Sequence, residues 1–190
     1  MERLLRPFFA RYTPDVAQGL LGCLLVRRVG GKTLSGRIVE VEAYRGNDDP
    51  ASHSYRGPTK RSSIMFGEAG HAYVYFSYGN HWLLNFTTEV KGQPGGVLIR
   101  ALEPAEGVEE MRENRGVSEA VRLTNGPGKL TKALSIDGSF NGEDLVKSRR
   151  LYVLDRKELL PVRVSARIGI SKGKERQWRY SVAGSPFVSK

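Results

Sequence analysis

The chain is almost without cysteine. Cys23 is the only one in 190 residues, which excludes an internal disulfide and any cysteine-based zinc site. It lies in the apolar run Cys23-Leu24-Leu25-Val26 and reads as a small buried hydrophobe in a reducing compartment. Long hydrophobic runs are missing as well. No stretch approaches the ~20 apolar residues of a membrane span, and the opening Met1-Glu2-Arg3-Leu4-Leu5-Arg6 is too quickly broken by arginine for a secretory signal. The expectation is a soluble cytoplasmic protein, nucleoid-associated in a prokaryote, with no membrane partner. Histidine is scarce, and His53, His71 and His81 stand too far apart for a metal-ligand spacing, so no metal or other cofactor is expected. Repeats, low-complexity tracts and linkers are absent, so residues 1–190 read as a single domain, long enough to bury a core. Acidic charge is the minority sign, with 20 Asp/Glu against 30 Lys/Arg, a net charge of +10 and a pI near 9.9. Such a balance favours a polyanionic partner, either nucleic acid or an anionic membrane surface. Residues 147–179 hold 11 Lys/Arg against 3 Asp/Glu, so most of the excess sits there and predicts a local basic surface.

What is present begins with a short helix. Thr13 reads as its N-cap, Pro14 as its first residue, and Gly22 ends it. Residues 23–29 and 32–44 are β-type runs joined by Gly30-Gly31, a two-residue hairpin signal. A loop rich in Gly, Asp, Pro and Ser spans 45–63. Residues 72–78 and 82–88 alternate aromatic and apolar residues around Gly79-Asn80, and Gly95-Gly96 leads into Val97-Leu98-Ile99-Arg100. Helical signals fill 104–134, and strand character returns over 151–170. Antiparallel pairs with helices inserted late give an α+β fold.

The chemistry gathers on a few strands. In Ile38-Val39-Glu40-Val41-Glu42-Ala43-Tyr44 the two-residue period sets Val39 and Val41 on one face, and Glu40, Glu42 and Tyr44 on the other. Neighbouring like charges on a strand face are unfavourable. A carboxylate retained beside aromatics suits general base catalysis, although a half-solvated strand accounts for the same pattern. The following loop, with His53 and Tyr55, can wall a pocket, and its Lys60-Arg61 pair can touch phosphate or simply be solvated. On the aromatic hairpin Tyr73, Tyr75 and Ser77 share one face and Val74, Phe76 and Tyr78 the other. Tyr78 falls at the tip, where a ring cannot easily be buried and can act as a wedge between base pairs. Asn85, in the returning strand, either reads a base edge or satisfies backbone. Arg100 closes an apolar strand, where its guanidinium either steadies Glu42 or faces solvent. The stretch Gly126-Pro127-Gly128-Lys129-Leu130 opens a helix and reads as a DNA-backbone clamp or as a capped junction. It is no Walker loop, because Leu130 takes the place of the magnesium-binding Ser/Thr. The basic stretch 163–179 predicts a strand whose charged face follows phosphates. A non-enzymatic nucleic-acid-binding domain would use the same features, whereas a metal-dependent nuclease built on Glu40 and Glu42 lacks Asp/His partners.

Taken in order along nearly the whole chain, several motifs resemble the alkyladenine DNA glycosylase family, the 3-methyladenine DNA glycosylases of the alkyladenine type. They are Ile38-Val39-Glu40-Val41-Glu42-Ala43-Tyr44, Ala51-Ser52-His53-Ser54, Met65-Phe66, the 73–79 aromatic run, Asn85, Arg100-Ala101-Leu102-Glu103-Pro104, Gly126-Pro127-Gly128-Lys129-Leu130, and Gly184-Ser185-Pro186-Phe187-Val188-Ser189. The resemblance implies a mixed domain with a curved antiparallel sheet, surrounding helices and a protruding β-hairpin. It implies Glu42 as the catalytic carboxylate with Arg100 helping to hold it and the water. It makes Tyr44, His53 and Tyr75 the stack around a flipped base, Tyr78 the intercalating residue, and Asn85 the residue that disfavours guanine. The activity implied is monofunctional base excision repair by a monomer on double-stranded DNA. An alkylated or deaminated purine (3-methyladenine, 7-methylguanine, hypoxanthine, ethenoadenine) would be released and an abasic site left, with Gly126, Gly128 and Lys129 near the DNA backbone. A cationic alkylpurine would gain about 1–2 kcal/mol of cation–π attraction in such a stack.

Overall fold

Strands with one polar and one apolar face need a covering layer only on the apolar side. In the computed structural model, which describes residues 1–77, 79–156 and 158–189, one antiparallel sheet is covered in this way. Its strands are β1 (Leu24–Val29), β2 (Lys32–Arg45), β3 (Ala72–Ser77), β4 (His81–Thr88), β5 (Gly95–Glu106), β6 (Leu151–Leu154), β7 (Val162–Ser165) and β8 (Arg179–Val182). The order across the sheet is β3-β4-β5-β2-β1-β6. β8 joins β2 beyond the end of β1, and β7 pairs with β8. The sheet curls into a half-barrel. The helices are α1 (Arg6–Phe9), α2 (Thr13–Leu20), α3 (Val108–Arg115), α4 (Ala120–Leu123) and α5 (Pro127–Ala133). The α+β expectation, with its curved antiparallel sheet and surrounding helices, is the architecture observed.

The alternation read from the strands sorts the two faces. Val41 and Ala43, Val74, Leu84 and Phe86, and Val97 and Ile99 join Val16, Leu20, Leu130 and Leu134 from the helices in one buried cluster. Their neighbours Tyr44, Tyr73, Tyr75, Leu83, Asn85, Leu98 and Arg100 point the other way and line a cavity. Gly30 and Gly31 both have positive φ, +55° and +77°, as a two-residue hairpin turn requires and as β-carbons would resist.

Several local expectations need correction. α2 begins at Thr13, one residue before the expected start. The Thr13 hydroxyl contacts Thr88 and Glu89, each at 2.8 Å, and does not cap the helix. Residues 104–106 are strand and not helix, because β5 continues alongside the start of β2, where Gly36 pairs with Pro104 and Ser35 with Glu106. The register shift there accommodates a residue without an N–H. Long-range pairing thus overrides the local helical signal. Gly107 and Gly116, both left-handed, then confine α3. The expected basic strand shrinks to β7, whose Val162 and Val164 are 39% and 51% exposed. β7 is an outer strand paired only to β8, so its alternation marks no core face.

Candidate active site

Two acidic side chains set two residues apart on β2 would repel each other on a bare strand. Here they are separated by a cation. Arg100 donates from Nε to Glu40 at 3.1 Å, and its Nη1 lies 3.3 Å from Glu42 Oε2. The pairing between β2 and β5 shifts on either side of Glu40, leaving Val39 and Arg100 without cross-strand partners. Such a double irregularity re-aims a side chain, and Arg100 ends between the two carboxylates. A second guanidinium, Arg179 on β8, donates to Glu40 Oε1 at 2.7 Å. Two anions are therefore matched by two cations. That balance matters because both carboxylates are fully buried, and an unpaired buried charge costs several kcal/mol.

The two acids differ in what else they bind. Glu40 also accepts from the backbone N–H of Ser189, and from its hydroxyl at 2.8 Å, which ties the C-terminal segment to the sheet. Glu42 accepts from the Tyr44 hydroxyl at 2.7 Å and from the Ile168 N–H at 2.7 Å. Tyr44, Arg100 and Ile168 all line the cavity. Glu42 thus sits directly behind the cavity floor, and Glu40 is walled off behind it. Burial first, and the Glu42 charge second, push the Tyr44 phenol well above its ordinary range, so it remains a donor to the carboxylate.

The cavity has a volume of about 580 Å³, within the roughly 300–1,000 Å³ typical of small-molecule sites. Its aromatic wall comes from Tyr44, His53, Tyr73 and Tyr75. The His53 ring meets Tyr75 edge-on at 4.8 Å, and its Nδ1 lies 3.0 Å from the Tyr73 hydroxyl. Tyr73 and Tyr75 are tilted neighbours at 5.2 Å. Desolvation against these rings, with the Arg61 cation nearby, lowers His53 to about 4, so the imidazole is neutral at physiological pH. Asn85, nearly buried, donates to the Tyr73 carbonyl at 3.1 Å and presents the rest of its amide to the cavity.

Two loops close the cavity. The 46–63 loop is anchored by Asp49, fully buried, which takes both terminal nitrogens of Arg167 at 2.6 and 2.8 Å. Arg167 also donates to the Ala43 carbonyl, and its guanidinium lies 4.6 Å from the centre of the Tyr44 ring. The next residue, Ile168, supplies the amide that meets Glu42. One buried ion pair therefore fixes the loop carrying His53, the ring of Tyr44 and the donor to the carboxylate. At the other rim stands the start of α5. A β-carbon on Gly128 would fall 2.7 Å from His81 Cγ, so only glycine lets the helix approach the turn end of the aromatic hairpin. Lys129 Nζ donates to Asn125 Oδ1 at 2.8 Å.

The structure thus brings together Glu42, Arg100, Tyr44, His53, Tyr75 and Asn85, with Gly126, Gly128 and Lys129 at the rim. Tyr78 lies outside the described residues. On either side of it Phe76 is 48% exposed, and Gly79 to His81 are exposed as well, so the end of the hairpin leaves the core. Asp49, Arg167, Arg179 and the Ile168 amide did not stand out in the sequence. A backbone donor carries no side-chain signal, and Arg167 and Arg179 sit among surface-type cations. The expected basic surface over 147–179 is correspondingly thinned, since Arg150, Arg156, Arg167, Arg176 and Arg179 bond to protein groups.

A family model described as methylpurine-DNA glycosylase matches residues 7–186. Similar proteins carry the provisional description 3-methyladenine DNA glycosylase. That of Salinibacter ruber is 49% identical, covering 100% of this chain and 97% of its own. That of Carboxydothermus hydrogenoformans is 46% identical over 97% of each chain. That of Chlorobaculum tepidum is 45% identical, covering 100% of this chain and 92% of its own. With matches of this extent, the chain belongs to the methylpurine-DNA glycosylase family.

Proposed function

We propose that this protein flips a damaged purine nucleotide out of duplex DNA into the aromatic cavity and hydrolyses its N-glycosidic bond, with Glu42 as general base. The observation that carries this reading is the position of Glu42: a buried carboxylate behind an aromatic cavity, aimed by Tyr44, Arg100 and the Ile168 amide. The base stacks among Tyr44, His53 and Tyr75, Asn85 crowds an exocyclic amine at the purine 2-position, and Tyr78 fills the gap left in the duplex. The C1′–N bond breaks with its electron pair going to the base, and a water oxygen bonds to C1′. The water's proton passes to Glu42, whose negative charge also steadies the oxocarbenium-like sugar, and a neutral base takes up a proton from solvent as it leaves, whereas a cationic base leaves as a neutral molecule. Each carboxylate oxygen has two acceptor sites, and the contacts to Glu42 Oε1 among the described residues use one. The water enters beside Ile168 as the nucleotide seats, since catalytic contacts tighten only in the bound complex.

The substrates that fit this reading are purines whose pairing is weakened by alkylation or deamination, because a weak pair lowers the cost of extrusion. A monomer acting alone, leaving an abasic site with the strand intact, completes the proposal. The test incubates the protein, in EDTA, with duplexes carrying 3-methyladenine, hypoxanthine or ethenoadenine, and assays abasic sites and free base. Release from at least one lesion, with no borohydride-trapped protein–DNA adduct, is expected. Absence of release from every lesion refutes the activity, and a trapped adduct refutes the monofunctional mechanism.

A further inference from the structure

Both tyrosines proposed to stack on the base already hold a guanidinium against the ring. Arg61 lies 4.2 Å from the centre of Tyr75, and Arg167 lies 4.6 Å from the centre of Tyr44. The two rings line the cavity while neither arginine does, so the cations stand outside the volume a base would occupy. Arg167 meets Asp49 through both terminal nitrogens, and its charge is balanced locally. Among the described residues no carboxylate forms an ion pair with Arg61, which hydrogen-bonds to Tyr73 and stands near His53, so its charge acts across this aromatic wall. His53, the third wall, carries no charge at neutral pH.

A ring whose π-face already attracts one cation has less to offer a second, and the fixed charge of Arg61 repels a cationic base directly. The sign reverses during bond cleavage. A neutral base such as hypoxanthine departs with the bonding electron pair and develops negative charge until it is protonated. A cationic base such as 7-methylguanine departs as a neutral molecule. We infer that Arg61, held against Tyr75, is a specificity-determining residue that shifts the enzyme toward neutral damaged purines and away from cationic ones. The inference rests on the glycosylase reading above.

Single-turnover excision by the full chain, with hypoxanthine and with 7-methylguanine duplexes over a range of enzyme concentrations, tests it. Arg61→Met keeps an apolar stem against Tyr75 and removes the charge, and Arg61→Lys restores the charge. In Arg61→Met the preference for 7-methylguanine over hypoxanthine should rise about tenfold, equivalent to about 1.4 kcal/mol. For hypoxanthine the loss should appear in the saturating rate. For 7-methylguanine the gain should appear as a lower half-saturating concentration. Arg61→Lys should return the ratio to within about threefold of the parent, consistent with a point charge. An unchanged ratio overturns the inference. So does an equal loss on both lesions with weaker binding of undamaged duplex, which marks Arg61 as a phosphate contact. A parent enzyme that releases 7-methylguanine but no hypoxanthine also overturns it. Release of neither base removes the glycosylase reading itself, a result distinct from release at an unaltered ratio.

Discussion

Glu40 and Glu42 share a strand face, an arginine and complete burial, yet their surroundings assign them different work. Glu40 accepts from Arg100, Arg179 and both donors of Ser189, and neutralising it strips Arg179 of its counter-ion and leaves Arg100 with Glu42 alone. Glu40→Gln should therefore cost about 3 kcal/mol or more, or roughly 10 °C in the melting temperature of a chain this size. Glu42→Gln keeps Arg100 paired to Glu40, so its melting temperature should stay close to the parent value while base release falls by about 10²–10⁴-fold. Lesion binding should persist in Glu42→Gln. Thermal melts, gel shifts and single-turnover assays on the pair separate the two roles, and equal effects of the two substitutions would refute the division. His53 makes a further residue-scale prediction. Its value near 4 lies below the ordinary 6.5, so on acidification the unfolded chain takes up the proton first. The stability it contributes is complete above about pH 6.5 and is lost as pH falls from there toward 4. The imidazole NMR resonance that disappears in His53→Gln should show no inflection near pH 6.5 and titrate only below about pH 5.

At the level of elements, the walls depend on an ion pair between two loops. Asp49 and Arg167 are fully buried, and removing one partner strands the other. Asp49→Asn should destabilise the fold by about 3–5 kcal/mol and slow excision of neutral and cationic lesions alike, because the Tyr44 ring and the Ile168 amide lose their common support. A melt and a paired-substrate assay check this, and full activity at an unchanged melting temperature would show that the loops are held otherwise. The loop connecting β2 to the first helical turn at Ser63–Phe66 was legible as a pocket wall from its length and composition, but its anchor was not. Nothing in the local pattern distinguishes Asp49 from Asp48, which is half-exposed and pairs with Arg45 and Arg176. The strands with strict alternation, β2 to β4, were legible almost to the residue. The extension of β5 through Pro104 was not, since it is imposed by β2 on the opposite side.

For the whole molecule, the net charge of +10 is the feature that survives folding least directly. Five arginines of the most basic segment are spent on internal carboxylates and carbonyls, so DNA affinity should rest on the cations left at the rim. Lys172 is exposed and borders the cavity. Lys172→Ala should weaken binding to damaged and undamaged duplex alike, and should reduce the slope of log affinity against log salt by about 0.9, one phosphate contact's worth. An unchanged slope would remove Lys172 from the DNA face. By itself the sequence determined the fold class, the polar face of β2, the aromatic face of the hairpin and, through its motifs, which carboxylate to favour. Those properties follow from the two-residue period and from residue types in order along the chain. Only the tertiary structure decided that Arg100 stands between the two acids, that Ile168 turns an amide onto Glu42 while Ser189 turns one onto Glu40, and that guanidiniums stand against the rings of Tyr44 and Tyr75. Each of these joins groups from 14 to 149 residues apart or depends on a bulge, and neither distance in space nor strand register is written in local sequence.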